Sequence, residues 1–418
     1  MAESIDNAAV DALADERLDW RFKAIPASAD GMSVADVRAD PLPLDAFGTP
    51  LLTLDAAALD HNIAAMAAWT RDAGVDLAPH GKTTMAPALW RRQLEAGAWG
   101  ITLANLPQLR VARAFGVRRL MLANALVDPA GLAWLGAQLD TDPEFEFVSW
   151  VDSVRTVALM DEALRAARVN RPVHVCVELG GPHGRTGARD DADARAIADA
   201  VRRAPALRLA GAGGYEGAFA HDASGESRAA VDAYLRRVAD LHRGLDYETD
   251  EPIVTAGGSA YFDQVVEVLG DLPGRTVLRS GAYVIHDDGF YRGISPFARG
   301  ASGTRLRSAM HGWARVVSRP EPALALVDVG KRDVPYDEGL PEPQLVRGKG
   351  TGPVAGARVT AVNDQHGFLR DASVEVGDVV RLGLSHPCTA FDKWTLIPVV
   401  DDADAERPRV VDLVRTWF

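Results

Sequence analysis

The chain has 418 residues, 47% hydrophobic and 25% charged, a composition suited to a globular protein with a large core. Its 45 Lys and Arg against 58 Asp and Glu give a net charge of −13, which argues against a broad basic surface for nucleic acid. No stretch approaches the roughly 18 uninterrupted apolar residues of a membrane helix, the opening residues lack a secretory pattern, and two cysteines make no disulfide framework, so the chain reads as cytoplasmic with free thiols.

Residues 1–48 mix short apolar and acidic groups with several prolines and read as a leader that packs on the rest. From Pro50 a regular unit begins. Leu51–Leu54 is a short apolar run suited to a buried strand, Asp55 is an N-cap, and Ala56–Ala73 has helical apolar spacing. The unit recurs: Val75–Leu77, Ile101–Leu103, Leu120–Ala123, Phe145–Val151, Val173–Leu179, Leu207–Ala212 and Ile253–Ala256 each precede an amphipathic segment, and Val277–Ile285 adds one more strand. About eight repeats between residues 50 and 285 predict a (β/α)8 barrel over 49–285, with a doubly wound sheet as the alternative. After His286 helical periodicity stops. Trp313–Val317, Ala323–Val329, Arg358–Val362, Val379–Leu384 and Thr395–Val400 predict strands of an all-β domain over 286–418.

In such a barrel the chemistry lies at the C-terminal ends of the strands. Pro79-His80-Gly81-Lys82-Thr83 follows a strand there. A P-loop reading fails because Asp76 stands where that motif needs its first glycine. A lysine at a barrel mouth can instead condense with an aldehyde, provided desolvation or a nearby cation lowers its pKa; the plain alternative is a surface lysine. Gly257-Gly258-Ser259 opens a helix, a place that favours anions, although a tight turn explains it as well. Arg185, between glycines, can reach inward to an anion or simply be solvated. Tyr215 occupies the matching loop after the next strand. Arg279 in an apolar strand needs a partner if it faces inward, and Tyr283 can bond a phosphate or pack in the core. His386-Pro387-Cys388 pairs two ligand types suited to zinc, but two ligands alone are a weak motif; Asn363-Asp364-Gln365-His366 is a polar turn able to reach a pocket.

In this order these motifs resemble the D-threonine aldolase and D-serine dehydratase group of fold-type III pyridoxal-phosphate enzymes, related to the alanine racemase barrel, over residues 45–418. The resemblance implies that Lys82 bonds the cofactor, with His80 beside its ring, Arg185 at its phenolate side and Arg279 near its pyridine nitrogen. Gly257, Gly258, Ser259 and Tyr283 would hold the phosphate, and Tyr215 would border the lysine. His386 and Cys388 would bind a divalent metal and His366 would border the substrate. It further implies a homodimer in which one chain's β domain closes its partner's barrel mouth.

Within that group aldolases carry His-x-Asp, suited to manganese or magnesium, whereas dehydratases carry His-x-Cys, which favours zinc. Cys388 therefore points to β-elimination of D-serine or a related D-3-hydroxy amino acid, giving a 2-oxo acid and ammonia. The alternatives are retro-aldol cleavage to glycine and an aldehyde, racemisation, and a non-catalytic cofactor carrier. Thr84-Met85 and Asp364-Gln365 depart from the group's common pattern and bear on the substrate more than on the cofactor.

Overall fold

Eight short strands run parallel in one sheet: Asp76–Leu77, Ile101–Leu103, Arg119–Leu122, Glu146–Val151, Val173–Glu178, Leu207–Gly213, Ile253–Ala256 and Arg275–Leu278. They belong to a computed structural model that describes residues 4–418 apart from 183, 349 and 350. The last strand pairs with the first, Leu278 opposite Leu77. The chain just beyond the first strand pairs with the second: His80 bridges Thr102, and the Thr102 N–H donates to the Pro79 carbonyl at 2.9 Å. The sheet therefore closes on itself as a (β/α)8 barrel. Ala78, Met121, Val148, Trp150, Cys176, Ile253 and Val277 form a buried apolar cluster within it, so the barrel is a packed core below its mouth.

The helices between the strands start where the sequence supplies caps. Asn105, Asp128, Ser153, Asp190 and Ser224 each accept a backbone N–H of the following first turn. Proline at the start of Pro87–Glu95 and Pro129–Thr141 costs no hydrogen bond, because the first N–H groups of a helix have no internal acceptor.

The second sheet is built mainly from the C-terminal third. Its long strand Met310–Glu321 pairs with Leu324–Val327 and with Val379–Gly383, and Leu396–Val400 pairs with Arg409–Arg415. Four strands here escaped the sequence reading: Glu342–Arg347, Thr351–Pro353, Gly367–Arg370 and Arg409–Arg415.

Leu51–Asp55, expected to open the barrel, belongs to this second sheet instead. It lies antiparallel to Met310–Glu321, with Leu51 opposite Trp313, and parallel to Leu396–Val400. The error has a physical cause. Leu51 to Leu54 are buried on both faces, so the run has no alternation by which to tell a barrel strand from a central strand of another sheet. The barrel thus begins at Asp76, after the helix Ala56–Asp72 has carried the chain across. Residues 4–48 lie on both parts. The Asp6 N–H donates to the Phe115 carbonyl at 2.9 Å, Leu18, Phe22 and Val37 share an apolar cluster with Trp313 and Leu396, and Leu42–Pro43 pairs with the last strand.

Thr53 and Trp313 join the N-terminal strand to the β domain, the indole N–H donating to the threonine hydroxyl at 2.8 Å with both residues buried. Thr53→Val keeps the shape and strands that donor. It is expected to lower unfolding stability by about 1–3 kcal/mol in urea denaturation; unchanged stability would contradict this role for the strand.

Candidate active site at the barrel mouth

A cavity of about 410 Å³ opens at the C-terminal ends of the barrel strands. It brings together His80, Lys82, Arg185, Tyr215, Gly257, Gly258, Ser259, Arg279, His386 and Cys388, all singled out from the sequence. Two other expected residues lie elsewhere. Tyr283 is fully buried away from the cavity lining, and its hydroxyl accepts from Gln93 Nε2 at 2.9 Å. Burial raises its phenol, and the core packing weighed against a phosphate contact is what the structure has. His366 stands exposed at the turn between Arg358–Val362 and Gly367–Arg370, where its carbonyl accepts from Asn363 as the hairpin closes. It does not reach this chain's cavity.

Lys82 sits on a tight turn, Gly81–Thr83, directly after the barrel seam. The turn rests on Trp90, whose indole N–H donates to the Gly81 carbonyl at 3.3 Å; a side chain at Gly81 would come within 2.8 Å of that indole and of Ile101. Burial, above all, holds the Lys82 amine below the ordinary lysine range. Cys388 works in the opposite direction, and Arg185 and Arg279 add to the depression. His80, half-buried at the cavity wall, is held well below the ordinary histidine range by burial first and then by Lys82, Arg279 and Arg185, which favours its neutral form. Its Nδ1 has no protein partner.

Arg279 meets the requirement for a partner. Its guanidinium donates to Thr255 Oγ1 at 2.5 Å and to the Gly214 carbonyl at 2.6 Å, and stands 5.4 Å from the Trp150 ring. Arg185 lies 5.0 Å over the Tyr215 ring at the exposed side of the cavity. Glu178 ends its barrel strand at the same wall and accepts from Thr186 at 2.8 Å; burial raises its carboxyl. The sequence reading missed Glu178. An acid at the last position of an apolar barrel strand was the available signal.

The β domain supplies the remaining wall. Cys388 Sγ lies 3.4 Å from Thr83 Oγ1, one residue from Lys82. His386, at φ +59°, is anchored twice: its N–H donates to Asp287 at 2.9 Å, and its Nδ1 meets Asp337 Oδ2 at 2.6 Å. Burial opposes a charge on His386, but Cys388 and Asp337 outweigh it and raise the imidazole to about 9. Burial likewise opposes the Cys388 thiolate, and His386, Thr83 and Lys82 together hold it below the ordinary thiol range. Asp287 and Asp337 come from loops with no motif, so no sequence signal marked them. Among the described residues no group of three or more His, Cys, Asp or Glu is placed to hold a metal. A metal on His386 and Cys388 would take its further ligands from water or substrate.

Comparison with known proteins finds similar chains over most of the length. Residues 309–400 match a family described as "Putative serine dehydratase domain". The chain is 30% identical to a D-threonine aldolase of an Arthrobacter species over 374 residues, 87% of this chain and 92% of that one. It is 26% identical over 350 residues to a 3-hydroxy-D-aspartate aldolase of Paracoccus denitrificans, covering 81% of this chain and 84% of the relative. The crystal structure of D-threonine aldolase from Filomicrobium marinum superposes with a TM-score of 0.75 at 26% identity, covering 90% of this chain and 97% of that one.

The depressed Lys82 amine has a direct consequence. More of it is neutral at a given pH than of a free lysine, so it should react with a small aldehyde under reducing conditions at lower pH than the side-chain amine of Nα-acetyl-lysine does. Site-resolved mass spectrometry across a pH series, with the free amine as reference, reads both. Equal midpoints would contradict the burial argument.

Proposed function

Because the chain belongs to the D-threonine aldolase and D-serine dehydratase family of fold-type III enzymes, we propose that it is a pyridoxal-phosphate- and metal-dependent lyase that eliminates the β-hydroxyl of D-serine or a related D-3-hydroxy amino acid, giving a 2-oxo acid and ammonia. One observation carries this reading: a lysine amine whose charge burial disfavours and the His386–Cys388 pair line the same cavity, with Cys388 3.4 Å from Thr83, the neighbour of Lys82.

The residues present fit both groups. Arg185 and Arg279 bring positive charge to the cavity, which favours an anionic phosphate ester. Ser259 faces it, and its oxygen already accepts from the Ala282 N–H at 3.1 Å, so its own proton is free to donate. The following helix, Phe262–Leu269, starts with no side-chain cap. On the opposite wall, Asp337 occupies Nδ1 of His386. A carboxylate commonly orients a metal-binding histidine in this way.

Bound there, pyridoxal phosphate would supply an electron sink for the charge left at Cα when its proton departs. A divalent ion on His386 and Cys388 would supply Lewis-acid help to the departing β-hydroxyl, and this donor pair suits zinc better than manganese or magnesium. The protein's own groups do the rest. Lys82 would bond the cofactor and would be the base for the Cα proton, both roles needing the neutral amine that burial favours. Neutral His80 adds no further charge beside it. Arg279, tied to Thr255 and Gly214, would meet the ring nitrogen, and Arg185 over Tyr215 would offer its charge to the phenolate side.

The second reading is retro-aldol cleavage to glycine and an aldehyde, which the names of the two similar relatives favour. It uses the same wall but needs a base at the β-oxygen. We also propose a homodimer, since exposed His366 would border substrate only if its hairpin met the mouth of a second copy; a monomeric mass in sedimentation would remove that part.

Incubation of the purified protein with D-serine and with D-threonine, assaying ammonia against glycine, separates the two reactions. Ammonia with a 2-oxo acid is expected, whereas glycine with an aldehyde would replace elimination by retro-aldol cleavage. A chelator should abolish most turnover and zinc should restore it. Cys388→Ala should lose metal and most turnover yet keep cofactor colour; colour lost with metal retained would contradict the assignment of the two walls.

A further inference from the structure

Glu216 is the most completely buried acid beside the site, with no solvent exposure, and the reaction as described does not use it. It follows Tyr215 on the turn Glu216–Ala218, after the strand Leu207–Gly213. Its two carboxylate oxygens accept from two successive backbone groups on the neighbouring strand end: the Gly257 N–H at 2.9 Å and the Gly258 N–H at 2.6 Å. The carbonyls of the same two glycines are also taken. Gly257 accepts from the Arg279 N–H at 3.1 Å, and Gly258 accepts from the Ser280 hydroxyl at 3.0 Å. Every backbone polar group of the Gly257–Gly258 turn is therefore satisfied from within the protein.

This changes what the glycines can do. The sequence placed Gly257 and Gly258 as holders of the cofactor phosphate. Their N–H groups are committed to a carboxylate that lies outside the cavity lining, whereas Gly257, Gly258 and Ser259 are part of that lining. The need for glycine is steric instead. Gly257 has φ +96° and a side chain there would meet Leu278 at 2.6 Å; one at Gly258 would meet the Tyr215 ring at 3.0 Å. The donor left on the cavity face is the Ser259 hydroxyl, whose oxygen is held by the Ala282 N–H at 3.1 Å.

We propose that Glu216 is a positioning residue for the phosphate subsite: its carboxylate clamps the Gly257–Gly258 turn from behind, so that the Ser259 hydroxyl receives the phosphate and the glycine amides do not. The same clamp fixes Tyr215, which lies between Glu216 and Gly214, the residue that Arg279 holds by its carbonyl. Glu216 and Arg279 thus pin three successive strand ends, one from each side of the turn. A carboxylate is needed for this, because two N–H donors converge on the side chain; an amide would accept one and present its own N–H to the other.

The inference rests on the pyridoxal-phosphate reading, and its test keeps the two apart. Pyridoxal phosphate and pyridoxal, which lacks the phosphate, are titrated into the cofactor-stripped full chain and followed by absorbance. In Glu216→Gln the dissociation constant for pyridoxal phosphate should rise about tenfold, the scale of one lost charge-assisted hydrogen bond, while that for pyridoxal changes less than about twofold by the same reasoning. Glu216→Asp, which keeps the charge but shortens the reach, should fall between. Equal loss for both ligands, or no loss for either, would overturn the proposal. Failure of both variants to fold would also overturn it and assign Glu216 to barrel stability. A wild-type chain that binds neither ligand would instead end the cofactor reading itself.

Discussion

The seam that closes the barrel also sets the chemistry. Backbone hydrogen bonds from Trp99 and Thr102 to Leu77 and Pro79 lock the first strand against the second, and the chain leaves that seam straight into the turn that carries Lys82. Trp90 packs beneath the turn, and the half-buried lysine lines the cavity. An amine so buried, with Arg185 and Arg279 nearby, is destabilised as an ammonium. The reactivity toward an aldehyde proposed for Lys82 would follow from that same burial.

The cavity is a joint product of two sheets. The barrel contributes Lys82, the arginines and the Gly257–Ser259 turn, and the β domain contributes His386 and Cys388. What holds those contributions in register is the crossing of the chain between the sheets. Leu51–Asp55 is a central strand of the β sheet, and the helix that follows it is tied back by Asn62, which donates to the Val284 and Arg307 carbonyls. Val284 lies just past the last barrel strand. The 3.4 Å approach of Cys388 to Thr83 then depends on a scaffold built from both ends of the sequence.

Much of this was legible from the residues. Short apolar runs followed by capped amphipathic segments mark barrel repeats, because each strand is buried on both faces and each helix on one. The mouth residues could be found because functional groups in a barrel must follow strands, which is where Lys82, Arg185, Tyr215 and Ser259 stand. The failures have equally local causes. Leu51–Leu54 lacks the alternation that would assign it to one sheet, and Tyr283, whose phenol could suit either phosphate or core, has Gln93 as its partner across 190 positions of sequence. His366 sits where a hairpin turn points it outward. Glu216 and Asp337 act through partners 41 and 49 positions away, contacts that no short-range pattern encodes.

The account depends most on the bond that the Lys82 amine would form. The direct measurement is to supply the purified chain with pyridoxal phosphate, reduce it with borohydride, digest it and locate the fixed pyridoxyl group by mass spectrometry. The account predicts modification of Lys82, lost in Lys82→Ala. A chain that stays colourless and unmodified, or one that carries the group on Lys331 or Lys393 and leaves Lys82 free, would contradict it.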